Sequence, residues 1–310
     1  LQGNKMSWLQ LHIYVKPQQV QQLEDALELC SAISITFQDR ADEPIYEPGV
    51  GETPLWPSIK ATALFNPDAD PGAITKKLCG ELGVPDLDCE IEILHDRDWE
   101  REWLDHFKPI QCGNRLWICP GWHEPPDPDA INVVLDPGLA FGTGTHETTK
   151  LCLQWLDQAQ VNQNDVLDFG CGSGILGIAA LLLGAKHVTF VDNDPQALAA
   201  TLANLEKNNC HAKSYKVVHA DAFVHKKNSA PAERFNLVIA NILAQPLIDL
   251  AEQLCSAMSS DAALVLSGIR SEQKMAVEAA YHERISFFPA LSENNWLCLT
   301  GVKKSPNNDY

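Results

Sequence analysis

One short run constrains this chain more than any other: Asp168-Phe169-Gly170-Cys171-Gly172-Ser173-Gly174. Val166 to Phe169 ahead of it read as an apolar strand, and Gly174 to Gly184 behind it carry a long apolar helix. Glycines at such a junction let the backbone turn sharply and approach a ligand with no Cβ in between. In a doubly wound sheet this turn lies beyond the carboxyl end of the first strand, where ligands bind. The surroundings repeat the pattern. His187 to Val191, Tyr215 to Val218, Phe235 to Ala240 and Ala263 to Leu266 read as further strands. Helical stretches separate them at Pro195 to Asn208, Leu247 to Met258 and Ser271 to His282, and late strands near Ile285 to Phe288 and Trp296 to Val302 close the series. Continuous apolar strands alternating with helices imply an α/β, Rossmann-like sheet, mostly parallel and covered on both faces.

The loop also narrows the ligand. A P-loop would need Gly-Lys-Ser/Thr after the glycines, and none follows. A dinucleotide loop would read G-x-G-x-x-G, whereas this one reads G-x-G-x-G, from Gly170 through Gly172 to Gly174, with an acid two residues ahead. Asp168 would repel a pyrophosphate and suits a ligand with a cationic amino-acid end. S-adenosylmethionine carries both an ammonium and a sulfonium, and fits. Asp192 ends the next strand, about twenty residues further on, where an acid can accept ribose hydroxyls. Asp194 followed by Pro195 is the better helix N-cap, which leaves Asp192 for the ribose. Asp221, in Ala220-Asp221-Ala222 after the third strand, sits where an adenine-reading side chain would lie.

Upstream, Gly138 to Thr149 are rich in glycine and threonine and run into a helix. They read either as a lid beside the cofactor or as a connector. Phe141 and Thr145 are candidate cofactor contacts, and hydroxyls and amides at the start of the following helix suit a carboxylate. His146 reads as an orienting residue rather than a base.

The chain's first part has another rhythm. Leu9 to Val15 alternate as a strand, and Pro17 opens a helix that buries Val20, Leu23, Leu27 and Cys30. Strands at Ser34 to Gln38, Ile59 to Phe65 and Cys89 to Leu94, with a helix at Asp70 to Leu82, give the order β-α-β-β-α-β of a ferredoxin-like domain. The expected division is a small α+β domain over 6–95, a linker helix and connecting segment over 96–130, and the larger domain over 131–303. Trp99, Trp103 and Phe107, four residues apart, mark one face of the linker helix. That face reads as a packing stripe or as a hinge.

Composition excludes some classes. A formal net charge of −18 disfavours tight binding to bare nucleic acid and favours a basic or neutral partner. None of the 10 cysteines is spaced C-x-x-C, so reduced, buried thiols in a cytoplasm are expected, with no metal. No apolar run spans a bilayer and no secretion signal is legible. Met6 is read as the initiator, with Leu1 to Lys5 outside the fold. The absence of a long exposed apolar pattern favours a monomer.

Taken together, Gly138 to Thr149, Asp168 to Leu176 and Ala240-Asn241-Ile242-Leu243-Ala244 closely resemble the class I methyltransferases of the PrmA type. Leu266-Ser267-Gly268-Ile269 and the Trp99/Trp103 segment are similar to that family too, so the resemblance spans nearly the whole chain from Met6. It implies methylation of a large-subunit ribosomal protein, the eleventh, on lysine side chains and the N-terminal amine. It places cofactor contacts on Thr149, Gly170, Asp192 and Asn241, and gives the N-terminal domain the task of gripping the substrate. Glu147 departs from it, standing where the family commonly has proline, and bears on the stiffness of the lid. Asn241, at the end of the fourth strand, is expected to position the amine. Two other readings of the residues stay open: a methyltransferase for RNA or a small molecule, and a non-catalytic ribosome-binding module.

Overall fold

The computed structural model describes residues 7–41, 55–95, 107–135, 144–223 and 234–305. Residues 138–143 of the expected lid, with Phe141, and the expected linker helix with Trp99 and Trp103 lie outside the described residues. The chain forms two compact units, Leu1–Leu104 and Asp105–Tyr310.

In the first unit, β1 (Ser7–Val15), α1 (Val20–Leu29), β2 (Ser34–Asp39), β3 (Ile59–Phe65), α2 (Pro71–Leu82) and β4 (Cys89–His95) follow one another. The strands form an antiparallel sheet in the order β2-β3-β1-β4. Alternation decides the faces: Leu9, Leu11, Ile13, Ile59, Ala61, Ala63 and Phe65 point one way and are buried with Leu23, Leu27, Ile74 and Leu78 of the two helices. The start of α2 is fixed locally. The Asp70 side chain accepts the Gly72 and Ala73 N–H groups, Pro71 occupies the first helical position, and Gly83 ends the helix in the left-handed conformation.

The second unit begins with a small sheet of β5 (Ile110–Gln111), β6 (Leu116–Cys119) and β7 (Ile131–Val134), in that order. The sequence reading divides this stretch between linker and larger domain; its Cys112, Leu116, Ile118 and Val133 are buried in one core with Val166, Ile178 and Val188. Asp157, at the end of α3 (Glu147–Gln158), pins it by accepting the backbone N–H groups of Asn114 (2.7 Å) and Arg115 (2.9 Å).

The main sheet contains β8 (Asp165–Phe169), β9 (His187–Asp192), β10 (Tyr215–His219), β11 (Phe235–Asn241), β12 (Met258–Arg270), β13 (Ile285–Phe287), β14 (Leu291–Glu293) and β15 (Trp296–Lys303). Its order is β10-β9-β8-β11-β12-β15-β13, with β14 paired to β15. The first five run parallel and β13, β14 and β15 run antiparallel, so the sheet is mixed. The helices are α4 (Ile175–Leu182), α5 (Pro195–Lys207), α6 (Ala220–Phe223), α7 (Ala244–Asp249), α8 (Ala251–Ala257) and α9 (Lys274–Tyr281). Two cores flank the strands, one beneath α3 and α4 and one beneath α7, α8 and α9. The helix expected over Leu247 to Met258 is two short ones, because Leu250 (ψ 1°) leaves helical geometry between them. The chain leaves β8 toward β9 on one side and reaches β11 on the other. The crevice between the carboxyl ends of β8 and β11 is therefore the topological switch point, where open α/β sheets bind ligands.

Candidate active site

Three positive-φ glycines make the turn after β8: Gly170 (73°), Gly172 (54°) and Gly174 (81°). At Gly170 the need is double, because an added Cβ would stand 2.2 Å from Ile242 Cγ2. The loop folds back on the next strand, with the Gly170 and Cys171 N–H groups donating to the Val191 carbonyl at 2.8 and 3.0 Å.

Asp168 lies within β8 and is 1% exposed. Its Oδ2 accepts the Gly177 N–H of α4 at 2.9 Å. Burial raises its pKa to about 7, opposed by that hydrogen bond and reinforced by the nearby Asp192 carboxylate. A cation placed beside this carboxyl would favour its ionised form.

Asp192 ends β9, half-buried. Its Oδ2 accepts the Gly172 N–H (2.9 Å) and its Oδ1 the Asp194 N–H (3.0 Å). The carboxylate thus fixes the glycine loop, and each oxygen keeps a lone pair for a further donor. Asp194 caps α5 by accepting the Gln196 N–H, as the sequence suggests. Asp221 turns outward: its side chain is 94% exposed and stands 3.5 Å from His219 Nδ1. It lies two residues beyond His219, the register partner of Asp192.

Asn241 ends β11 across the crevice. Its Nδ2 donates to Thr149 Oγ1 at 3.2 Å, and Thr149 is itself buried in the first turn of α3. With the amide turned this way, Oδ1 is buried and has no donor among the described residues. A buried carbonyl oxygen left without a donor costs about 1–3 kcal/mol, which makes it the strongest local mark of a site completed by something else. The Thr149 hydroxyl accepts from Asn241 and keeps its own proton to donate.

The start of α3 is held by its own cap. His146 is the N-cap. Its Nδ1 accepts the Thr148 N–H (3.3 Å) and its carbonyl accepts the Thr149 and Lys150 N–H groups (3.1 Å each). These amides are therefore engaged within the chain, and the Thr148 hydroxyl lies 2.8 Å from His146 Nδ1, which leaves the Thr149 hydroxyl with a proton to donate. The His146 ring meets Trp296 edge-on at 5.1 Å. Thr145 is exposed just ahead of the helix.

Sequence reasoning did not single out Ile242 or Gly268. Gly268 has φ 83°, and a Cβ there would lie 2.2 Å from the Ile242 carbonyl oxygen. Ile242, next to Asn241, is thus held between two glycines, Gly170 and Gly268. The signal was available in the runs Ala240–Ala244 and Leu266–Ile269, but only spatial proximity shows what the glycines are for.

A doubly wound sheet with a glycine turn on its first strand, an acid ending the second and an amide whose buried oxygen lacks a donor ending the fourth defines a nucleoside-cofactor enzyme of the α/β class. Residues 7–304 match the family described as ribosomal protein L11 methyltransferase (PrmA). The chain is 48% identical to the ribosomal protein L11 methyltransferase of Cellvibrio japonicus, over 96% of this chain and 99% of that one. It is 45% identical to that of Teredinibacter turnerae, over 97% and 98%. The crystal structure of the ribosomal protein L11 methylase of Lactobacillus delbrueckii subsp. bulgaricus superimposes with a TM-score of 0.56 at 33% identity, covering 64% of this chain and all of that one. The chain belongs to the PrmA family of ribosomal protein L11 methyltransferases.

Proposed function

We propose that the chain transfers methyl groups from S-adenosylmethionine to amines of ribosomal protein L11, on lysine side chains and at the N-terminus. The observation that carries this is Asn241 Oδ1, buried without a donor at the switch point. It can accept a hydrogen of an incoming amine and so aim the nitrogen lone pair into the crevice.

The residues present fit the cofactor. Asp168 is a buried acid suited to a cationic amino-acid end, Gly170 leaves room at the turn, Asp192 has lone pairs for ribose hydroxyls, and the Thr149 hydroxyl can donate to a carboxylate. When bound, S-adenosylmethionine supplies an electrophilic methyl carbon on a sulfonium. The chain's own contribution is placement. Orientation of two reactants can supply roughly 7–11 kcal/mol. Burial beside positive charge disfavours the ammonium form of the amine, which arrives neutral by losing its proton to water. With the donor held there, the amine nitrogen would take the methyl carbon as the carbon–sulfur bond broke, and the chain need supply no dedicated base.

The first unit is read as a ferredoxin-like recognition module. Its order β-α-β-β-α-β and sheet order β2-β3-β1-β4 support that reading, and the acidic charge suits a basic partner. Incubation with labelled methyl donor, ribosomal proteins and ribosomal RNA tests the function. Label should enter L11 alone; label in RNA, or none at all, would overturn the assignment.

The Asp168 carboxyl gives a pH signature. An acid raised to about 7 in the folded chain adds stability when protonated, fully present below its unfolded value near 4 and lost as pH rises through 7. A cationic ligand favours the ionised form, so cofactor affinity should fall as pH drops from 8 to 6. Calorimetry across that range should show weakening for the native chain and a flatter, weaker profile for Asp168→Asn. Parallel profiles would remove Asp168 from the cofactor site.

A further inference from the structure

His146, the N-cap of α3, and the four residues after it are held one by one. His146 meets the Trp296 ring at 5.1 Å. Glu147 Oε1 accepts from Asn294 Nδ2 at 3.1 Å. The Thr148 carbonyl oxygen lies 3.2 Å from the Ser267 hydroxyl, which also reaches the Leu297 carbonyl at 2.9 Å. Lys150 Nζ donates to Glu293 Oε1 at 2.5 Å. The remaining residue, Thr149, faces the other way and accepts from Asn241.

Three of the four holding contacts come from one place, the tip of the β14–β15 hairpin. Glu293 pairs with Trp296 across a two-residue turn of Asn294 (φ 46°) and Asn295 (φ 67°). Two successive positive-φ residues give the tight turn whose twist matches paired strands, and asparagine tolerates that conformation. The turn is fastened on its far side too. The Asn295 carbonyl accepts the Ser271 N–H at 3.1 Å, and Asn295 Nδ2 reaches Glu272 Oε2 at 3.4 Å. The tip is thus a platform tied to the end of β12.

We propose that this hairpin tip is a positioning element for methyl transfer: the Asn294–Glu147 contact sets the first turn of α3, and through Thr149 it sets the Asn241 amide. Glu147 and Asn294 are positioning residues and touch no reacting atom. An exposed contact of this kind adds little to global stability. Its effect falls on the helix end, where fraying begins, and the third residue of that helix, Thr149, holds Asn241.

The inference rests on the methyl-transfer reading for its kinetic arm only. Glu147→Ala and Asn294→Ala should each lower kcat about tenfold, less than the roughly hundredfold expected of a full 1 Å misplacement. KM for the protein substrate and the melting temperature should stay close to native. Glu147→Gln, which keeps an oxygen facing Asn294, should retain turnover. The double alanine variant should lose no more than either single one, since both remove the same contact. Amide hydrogen exchange at Thr148, Thr149 and Lys150, measured without substrate, should quicken in both alanine variants and not in Glu147→Gln. Native exchange in Glu147→Ala, or a Glu147→Gln variant as impaired as Glu147→Ala, would overturn the proposal. If exchange quickens as stated but the native chain methylates nothing, the tether stands and the functional reading falls.

Discussion

Asn241→Ala should cut turnover about a hundredfold, the scale set by loss of orientation at the reacting atom, while leaving the melting temperature unchanged or raised. Loss of activity and loss of stability separate here for a physical reason. The native amide makes one bond, from Nδ2 to Thr149, and leaves Oδ1 buried without a donor. Removing the bond costs about 1 kcal/mol, and removing the orphaned oxygen returns about 1–3 kcal/mol. A residue kept at a net cost to the fold is one whose benefit lies in function. Initial rates, cofactor titration and thermal melts on the purified variant check this. Cofactor affinity should change much less than kcat, because Asp168, Asp192 and the glycine turn remain. A variant that melts well below the native chain and loses activity in proportion would show that Asn241 only secures the end of β11.

Much of this site was legible before any coordinates. Asp168, the three glycines and Asp192 are close in sequence, and a strand–turn–helix–strand unit fixes their relative places by local geometry. The same holds for the parallel sheet, whose strands are short apolar runs. What could not be read depends on contacts between distant segments. Asn241 and Thr149 are a hundred positions apart to within a tenth, and nothing local tells which way the amide turns. Asp221 sits at the expected position after β10, and the direction of its side chain is set by α6, a single turn that leaves it beside His219 and open to solvent. His146 stood out as a histidine near a glycine-rich run; only the hydrogen bonds show that its ring caps α3. The Asn294-Asn295 turn lacks the glycine that usually announces a two-residue hairpin, so β14 was not read.

Gly268→Ala should be as damaging as the loss of Asn241, and for a purely steric reason. Gly268 has φ 83°, which costs a side-chain-bearing residue of order 1–3 kcal/mol. Its new Cβ would stand 2.2 Å from the Ile242 carbonyl oxygen and 2.8 Å from the carbonyl carbon. Relief requires the Ile242 backbone to move by about 1 Å, and Asn241 is the residue before it. A displacement of that size costs about a hundredfold in rate, so both melting temperature and kcat should fall. Gly170→Ala offers a built-in comparison. Its Cβ would meet Ile242 Cγ2 at 2.2 Å, the end of a side chain rather than backbone. Truncating that side chain in Ile242→Ala should therefore recover part of the activity lost in Gly170→Ala. It should recover none of the activity lost in Gly268→Ala, since the carbonyl stays where it was. Measuring kcat and melting temperature for the two glycine variants, each with and without Ile242→Ala, decides the matter. Recovery of Gly268→Ala by Ile242→Ala would show that the obstacle was the side chain, and that the backbone after Asn241 is not held in place by Gly268.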